Sequence, residues 1–229
     1  MSVWTRIRDA ITALAEGTPL SEILARFSRP PEQSAAFAIA VIALGAKIAK
    51  ADGQVTRDEI AAFREIFHIP PENEATAARI YNLARRDVAG FESYAAQVAA
   101  MFAERPGALA DLLEGLVFIA VADGEYHPGE AAFLEEVARI FAVPEAEFRS
   151  ICARHVPGES DPFAIIGVAP GASPEEVRQA WRTRVRELHP DQMLARGVPE
   201  EARRLAEQRL AAINAAYEKI QSERRAGAE

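Results

Sequence analysis

The 229-residue sequence contains little cysteine, few aromatic residues and no excess of positive charge. Its single cysteine, Cys152, excludes a disulfide framework and a zinc site built on cysteines, and it fits a reducing, intracellular compartment. The net charge of −8 argues against non-specific binding of nucleic acid, which needs a basic surface. The longest apolar run, residues 35–46, is well short of the roughly 20 residues that a bilayer requires. We therefore expect neither a nucleic-acid partner nor a transmembrane segment.

Charge and chain-breaking residues divide the sequence into two parts. From Ser160 onward 11 basic and 11 acidic residues cancel, so the whole acidic excess lies in the first 159 residues. Two prolines and a glycine occur at the same boundary, within residues 155–162, as is typical of a linker. The sequence thus predicts two domains, at residues 31–156 and 160–229.

Helical periodicity dominates both parts. Apolar residues recur three or four positions apart, for example Leu112, Leu116 and Ile119, and the β-branched alternation of strands is scarce. Both domains are therefore predicted to be all-α. Residues 1–30 form a predicted amphipathic helical extension, which we expect to dock on the domain behind it, with peripheral membrane contact as the alternative.

The first domain contains an internal repeat. Residues 48–59 match residues 119–130 at an offset of 71. Each copy consists of a helix, an Asp-Gly turn and a fresh helix, which predicts a pseudo-repeated helical bundle in which the two turns approach each other. That arrangement would bring four carboxylates together, those of Asp52, Glu59, Asp123 and Glu130.

Two interpretations of these carboxylates are open. In the first they belong to helix caps, since Glu59 forms a capping box with Thr56 and Pro128 takes the first helical position before Glu130. In the second the cluster attracts a divalent cation or a basic partner, although neither domain requires a cofactor. An EF-hand is excluded because its earlier ligand positions lack side-chain oxygens here. The paired turns resemble the tellurite-resistance TerB-like family, a helical domain associated with metal-linked stress functions and an acidic surface.

The second domain carries a basic helix that ends in a sharp turn. Ser173 and Glu176 form a predicted capping box at the start of this helix. The helix ends at His189-Pro190-Asp191, because proline disfavours helical backbone in the residue before it. Along one face arginines recur every four residues, at Arg178, Arg182 and Arg186. A second helix is predicted to pack on the first as an antiparallel hairpin through Leu205, Ile213, Ala216, Tyr217 and Ile220.

The histidines give little support for an enzyme. His189 and Asp191 stand two residues apart around a proline, so a triad-like bond between them is awkward, and no nucleophile is evident nearby. As metal ligands they supply only two of the four side chains that a structural zinc site needs. The sequence gives little support for a hydrolase that uses His68, His127 or His155. We therefore predict no enzymatic activity.

Several spaced motifs over residues 160–222 resemble the J domain of the DnaJ family. They are Asp-Pro-Phe-x-x-x-Gly-Val, Ala-Trp-Arg, His-Pro-Asp and Ile-Asn-x-Ala-Tyr. The resemblance implies that the His-Pro-Asp turn, residues 189–191, stimulates the ATPase of a DnaK-type chaperone. It also implies that Arg178 and Arg182 are basic docking contacts, in the same row as Arg186.

The sequence departs from the family at two positions of the basic helix. Thr183 stands where another basic residue is usual, which predicts a weaker docking surface. Arg184 stands where an apolar residue is usual, and we expect its stem to lie along the surface.

The order of the two domains resembles the DjlA group of J-domain proteins. We therefore predict a co-chaperone that docks on a DnaK-type chaperone, with the TerB-like domain directing it to an unidentified client or location. The alternative is a metal- or ligand-sensing module in which the J-like hairpin is only structural.

Members of the DjlA group usually begin with a membrane anchor. Since no such segment is evident here, we expect a cytoplasmic protein, with the cytoplasmic face of the inner membrane as the alternative.

Overall fold

The computed structural model describes Glu22, Ala75, Ala78 and residues 43–48, 91–158, 160–195 and 203–226. These residues contain helices and no strand, so the all-α prediction is confirmed for this part of the chain. Its helices with defined bounds are α1 (Phe91–Met101), α2 (Pro106–Ala120), α3 (Pro128–Ile140), α4 (Glu145–His155), α5 (Pro162–Ile166), α6 (Pro174–Glu187), α7 (Pro190–Ala195) and α8 (Arg203–Ala226).

Some predictions fall outside the described residues. They include the N-terminal extension, apart from Glu22, and the first copy of the repeat from residue 49 onward. The pseudo-repeat therefore stays a prediction. Within the described ranges no helix is both long and apolar enough to cross a bilayer.

Local side-chain bonds explain where two helices begin. At α6 the Ser173 hydroxyl accepts the Glu176 N–H at 3.3 Å, and the Glu176 carboxylate accepts the Ser173 N–H at 2.7 Å. Hydrogen bonds to the Glu176 carboxylate from the side chain and the backbone of Ser173 lower the pKa of Glu176. At α3 the Glu130 carboxylate accepts the His127 N–H at 3.0 Å, and Pro128 takes the first helical position. The predicted start signals are confirmed at both helices.

The core of the first domain is built around α2. This helix packs on α3 and α4, α1 packs on α3, and residues 43–48 contribute buried side chains. The predicted stripe is buried, with Leu112 and Leu116 fully enclosed and Ile119 and Ala120 1% exposed.

The second domain is a hairpin of α6 and α8 with α5 packed against it. Its core includes Val177, Leu188, Ile213, Ala216 and Ile220. At the edge of this core the Trp181 ring stacks on Tyr217, with 4.5 Å between centroids, and Trp181 Nε1 donates to Asn214 Oδ1 at 2.9 Å. The predicted antiparallel hairpin is confirmed.

The two cores share helices, which corrects one packing prediction. Leu205, expected to pack on the basic helix, instead lies with Ala206 in the core of the first domain. Conversely, Ala153 of α4 belongs to the core of the second domain. The N-terminal end of α8 therefore contacts the first domain while the rest of the helix builds the hairpin.

Candidate functional site

The turn after α6 places the His-Pro-Asp residues at one end of the hairpin and exposes His189 and Asp191. The helix ends at Glu187, and the Leu188 N–H still donates to the Arg184 carbonyl at 2.9 Å. Leu188 is buried in the second core and anchors the turn. Helix α7 begins at Pro190, within the His-Pro-Asp turn itself, and this short helix was not predicted from the sequence.

The side chains of His189 and Asp191 point into solvent, with 53% and 83% of their surface exposed. His189 Nδ1 accepts the Asp191 backbone N–H at 3.3 Å and lies 3.5 Å from Asp191 Oδ2. Because Nδ1 is already an acceptor, it does not hold the carboxylate as a triad histidine would. The Asp191 oxygens remain accessible to a donor from another protein.

The arginine row of Arg178, Arg182 and Arg186 is exposed along α6. Arg178 Nη1 lies 3.7 Å from Glu175 Oε2, a surface contact of small energy. Within the described part of the chain, Arg182 and Arg186 form no ion pair. The row and the turn together present a cationic strip that ends in an exposed carboxylate, an arrangement suited to docking an acidic surface.

Arg184 lies in a different environment from the row, which corrects the expectation of a stem along the surface. Its side chain is 18% exposed and ion-paired with Glu147 of α4. Arg184 Nε also donates to the Ile166 carbonyl at 3.4 Å. Next to that carbonyl, Gly167 has φ +86°, and a Cβ there would lie 2.8 Å from Arg184 Nη2. The left-handed backbone favours glycine at this position, and a Cβ there would make the Arg184 guanidinium shift.

A buried ion cluster joins the two domains, and sequence analysis missed it. Arg209 of α8 is 1% exposed; its Nη1 donates to Asp111 Oδ1 at 2.6 Å, and its Nη2 pairs with Glu114. Glu114 also accepts from Arg154 Nε at 2.9 Å and Nη2 at 3.0 Å, and lies 2.8 Å from His155 Nε2. All of these first-domain partners belong to α2 and α4.

The electrostatics of the cluster favour its charged form. Burial by itself raises the pKa of Glu114, but Arg154, Arg209 and the His155 hydrogen bond hold that pKa well below its ordinary value. For Arg209 burial acts to lower the pKa, and the two carboxylates of Glu114 and Asp111 raise it overall. Arg209 is thus compensated by two carboxylates from the other side of the domain junction, and Glu114 is compensated by Arg154 of its own domain as well as by Arg209.

A pattern in the sequence marks this cluster in retrospect. Arg209 occurs four residues after Leu205 and four before Ile213, on the apolar face of α8. Asp111 and Glu114 stand three apart among the core leucines of α2. Charged residues within two apolar stripes indicate buried partners, because an unpaired buried charge is costly.

The four carboxylates proposed for a cation are only half described. Asp52 and Glu59 lie outside the described residues. The Glu130 carboxylate accepts the His127 N–H, and Asp123 Oδ1 accepts the Glu125 N–H at 3.0 Å. These bonds favour the cap interpretation for the second copy. No group of three potential metal ligands occurs among the described residues, and the cation stays a prediction.

A helical hairpin closed by an exposed His-Pro-Asp turn, beside a basic helix face, defines the C-terminal part as a J domain. Comparison with family profiles agrees: residues 38–153 match the profile described as Tellurite resistance protein TerB, and residues 161–227 match the DnaJ domain. The chain belongs to the DjlA-like family of J-domain proteins, in which a TerB domain precedes a DnaJ domain. The matched ranges lie inside the two predicted domains, whose outer bounds stay predictions.

Similar curated proteins carry the same name. The chain is 29% identical to the Co-chaperone protein DjlA of Photobacterium profundum over 84% of this chain and 79% of that protein. It is 22% identical to the Escherichia coli protein of that name, over 89% of this chain and 85% of that protein. No solved structure gives a significant match.

Proposed function

We propose that this protein is a J-domain co-chaperone that docks on a DnaK-type chaperone and stimulates its ATPase. The observation that carries the proposal is the exposure of His189 and Asp191 at the end of the arginine row. The name shared by the curated relatives supports the same role.

Docking begins with the charge of the arginine row. Exposed guanidinium groups attract an acidic surface over a distance and raise the rate of encounter. Once the proteins touch, the Asp191 carboxylate accepts a charge-assisted hydrogen bond from an arginine of the partner. The ATPase belongs to the partner, so the J domain acts by binding the hydrolysis-competent conformation more tightly than the others.

The TerB-like domain has a separate role in this proposal. Its acidic excess and its own core make it a second binding module, which selects the client or the location of the complex. We propose that the protein works in the cytoplasm, where a DnaK-type partner and reduced Cys152 are both expected.

A single-turnover ATPase assay tests the docking proposal. The full chain is mixed with its cognate DnaK-type chaperone preloaded with ATP, and hydrolysis is followed with and without His189→Gln. We expect the variant to lose stimulation while its urea unfolding curve stays unchanged, because the side chain is exposed. Gln179→Ala, an exposed change on the same helix, is the matched control and keeps full stimulation. Equal stimulation by His189→Gln and the parent protein contradicts the proposal.

A further inference from the structure

We propose that the J domain is clamped to the first domain by two arginines, Arg184 and Arg209, and that this clamp fixes the direction in which the His-Pro-Asp turn is presented. The clamp consists of these arginines and their partners, Glu147 for the first and Asp111 and Glu114 for the second. Both arginines are positioning residues, since neither belongs to the exposed row.

The Arg209 half of the clamp is fully enclosed. One guanidinium reaches two carboxylates on successive turns of α2, and both carboxylates are 2% exposed. The Glu114 carboxylate is held in turn by Arg154 and His155 of α4. Any sliding of α8 would leave several buried charges without compensation, which is far more costly than breaking surface pairs.

The Arg184 half lies at the other end of α4. The guanidinium bridges Glu147 of the first domain and the Ile166 carbonyl of α5. Nearby, the buried Ser150 hydroxyl of α4 donates to the Ile165 carbonyl at 2.8 Å and accepts from Arg154 Nη1 at 2.7 Å. Helix α4 is thus hydrogen-bonded to α5 between the two arginine contacts.

Apolar contact alone would not fix the angle between the domains. Ala153, Leu205 and Ala206 cross between the two cores, but apolar attraction is non-directional and does not by itself select one register. Paired charges in a dry interface are satisfied only in one geometry, so they select a single orientation. The clamp adds a fixed orientation to this apolar contact.

The clamp leaves the docking face accessible. It uses α8, α5 and the Arg184 side of α6, whereas the arginine row, His189 and Asp191 stay exposed. The clamp therefore presents the turn and does not hide it. This functional consequence rests on the proposed function, whereas the fixed orientation itself does not.

Single-molecule energy transfer within the full chain tests the fixed orientation. Two dyes are attached through Glu92→Cys on α1 and Ser222→Cys on α8, both exposed, in a Cys152→Ser background. We expect one narrow distance population in this parent. Arg209→Ala and the milder Arg184→Glu broaden it, and Arg139→Gln, which removes an exposed pair within α3, leaves it narrow. A broad population in the parent, or a narrow one in both clamp variants, overturns the proposal.

A charge swap separates positioning from general stability. Arg184→Glu combined with Glu147→Arg re-forms the ion pair with reversed polarity, although not the hydrogen bond to the Ile166 carbonyl, and we expect it to narrow the population that Arg184→Glu broadens. A double variant with a population as broad as that of Arg184→Glu contradicts the role of this pair.

An ATPase arm separates the clamp from the proposed function. Arg184→Leu keeps the turn and the row, so it retains maximal stimulation of the DnaK-type chaperone if the proposed function holds. Loss of maximal stimulation in this variant shows that Arg184 belongs to the docking face and contradicts its assignment as a positioning residue. A parent that fails to stimulate while its distance population is narrow refutes the proposed function and leaves the fixed orientation standing.

Discussion

Two groups of arginines in the second domain differ in burial and therefore in what they bind. Arg178, Arg182 and Arg186 stand exposed on α6, while Arg209 is enclosed between the domains. An exposed guanidinium is hydrated, screened by salt and available to another protein. An enclosed one is committed to carboxylates of its own chain and is lost only at a high cost in stability. Burial, more than residue type, separates the arginines proposed for docking from the arginine that stabilises the fold.

This difference predicts that function and stability respond to separate sets of substitutions. Changes in the row or the turn should alter partner stimulation and leave unfolding alone. Changes in the buried cluster should alter unfolding first. Four predictions, from the largest expected effect to the smallest, test that separation.

Glu114→Ala removes the most connected member of the buried cluster. Arg154 and Arg209 then lose a shared carboxylate in a dry environment, and we expect the free energy of unfolding to fall by about 3–5 kcal/mol. Urea denaturation measures the loss. Glu136→Ala, which breaks the exposed pair with Arg139, is the control and should leave the curve nearly unchanged. Similar curves for the two variants would contradict a buried cluster.

Acid should weaken the protein through the same carboxylate. Because the pKa of Glu114 in the folded chain lies below the ordinary value of 4.5, the unfolded chain takes up this proton first. The stabilisation that ionised Glu114 gives to the folded chain is therefore fully present at pH values above its ordinary pKa of 4.5. It is lost as the pH falls through the lower pKa that Glu114 has in the folded chain. Urea unfolding at a series of pH values should show a shallower acid dependence in Glu114→Gln. An unchanged slope would contradict the lowered pKa.

Gly167→Ala tests the close approach of Arg184. A left-handed residue with a Cβ costs about 1–2 kcal/mol, and this Cβ would also displace the guanidinium from Glu147. Gly171→Ala is the matched control, since Gly171 has the same φ of +86° and open space around it. Thermal unfolding should show a larger loss at position 167. Equal losses of thermal stability in the two variants would mean that the Arg184 side chain moves away from the new Cβ at no cost in free energy.

Arg182→Ala should have the smallest effect, and only on docking. The side chain is exposed, so we expect no change in unfolding and a modest rise in the concentration of co-chaperone needed for half-maximal ATPase stimulation. The rise should shrink at high salt because screening weakens exposed charges. Titrations at two salt concentrations measure it, with the exposed Arg139→Ala as the control. A shift that is independent of salt would indicate a contact other than charge.

What the sequence predicted well was local chemistry. The capping box of Ser173 and Glu176 and the helix end before Pro190 each depend on neighbours within a few residues. The stripe through Leu112 and Leu116 was predictable because helical period alone defines a buried face. Family resemblance then assigned the exposed turn a role that its chemistry does not specify by itself.

What the sequence did not predict depends on distant partners. Arg209 and Asp111 are almost 100 positions apart, so their pairing requires the packing of α8 on α2. Arg184 was expected on the surface because its partner, Glu147, belongs to another domain. Leu205 was assigned to the wrong core for the same reason, since periodicity identifies an apolar face but not the surface that covers it.

Helix α8 contributes to both cores. A J domain cut away from the first domain would therefore not keep the surface that it has in the full chain. A fragment cut at the linker would turn Leu205 and Ala206 out to water and strip Arg209 of both carboxylates. The fragment would then expose apolar side chains and an unpaired arginine charge that the intact chain keeps buried. Affinities measured on this fragment would include binding to the newly exposed surface. Pull-down experiments with the full chain are therefore the better way to identify its binding partners.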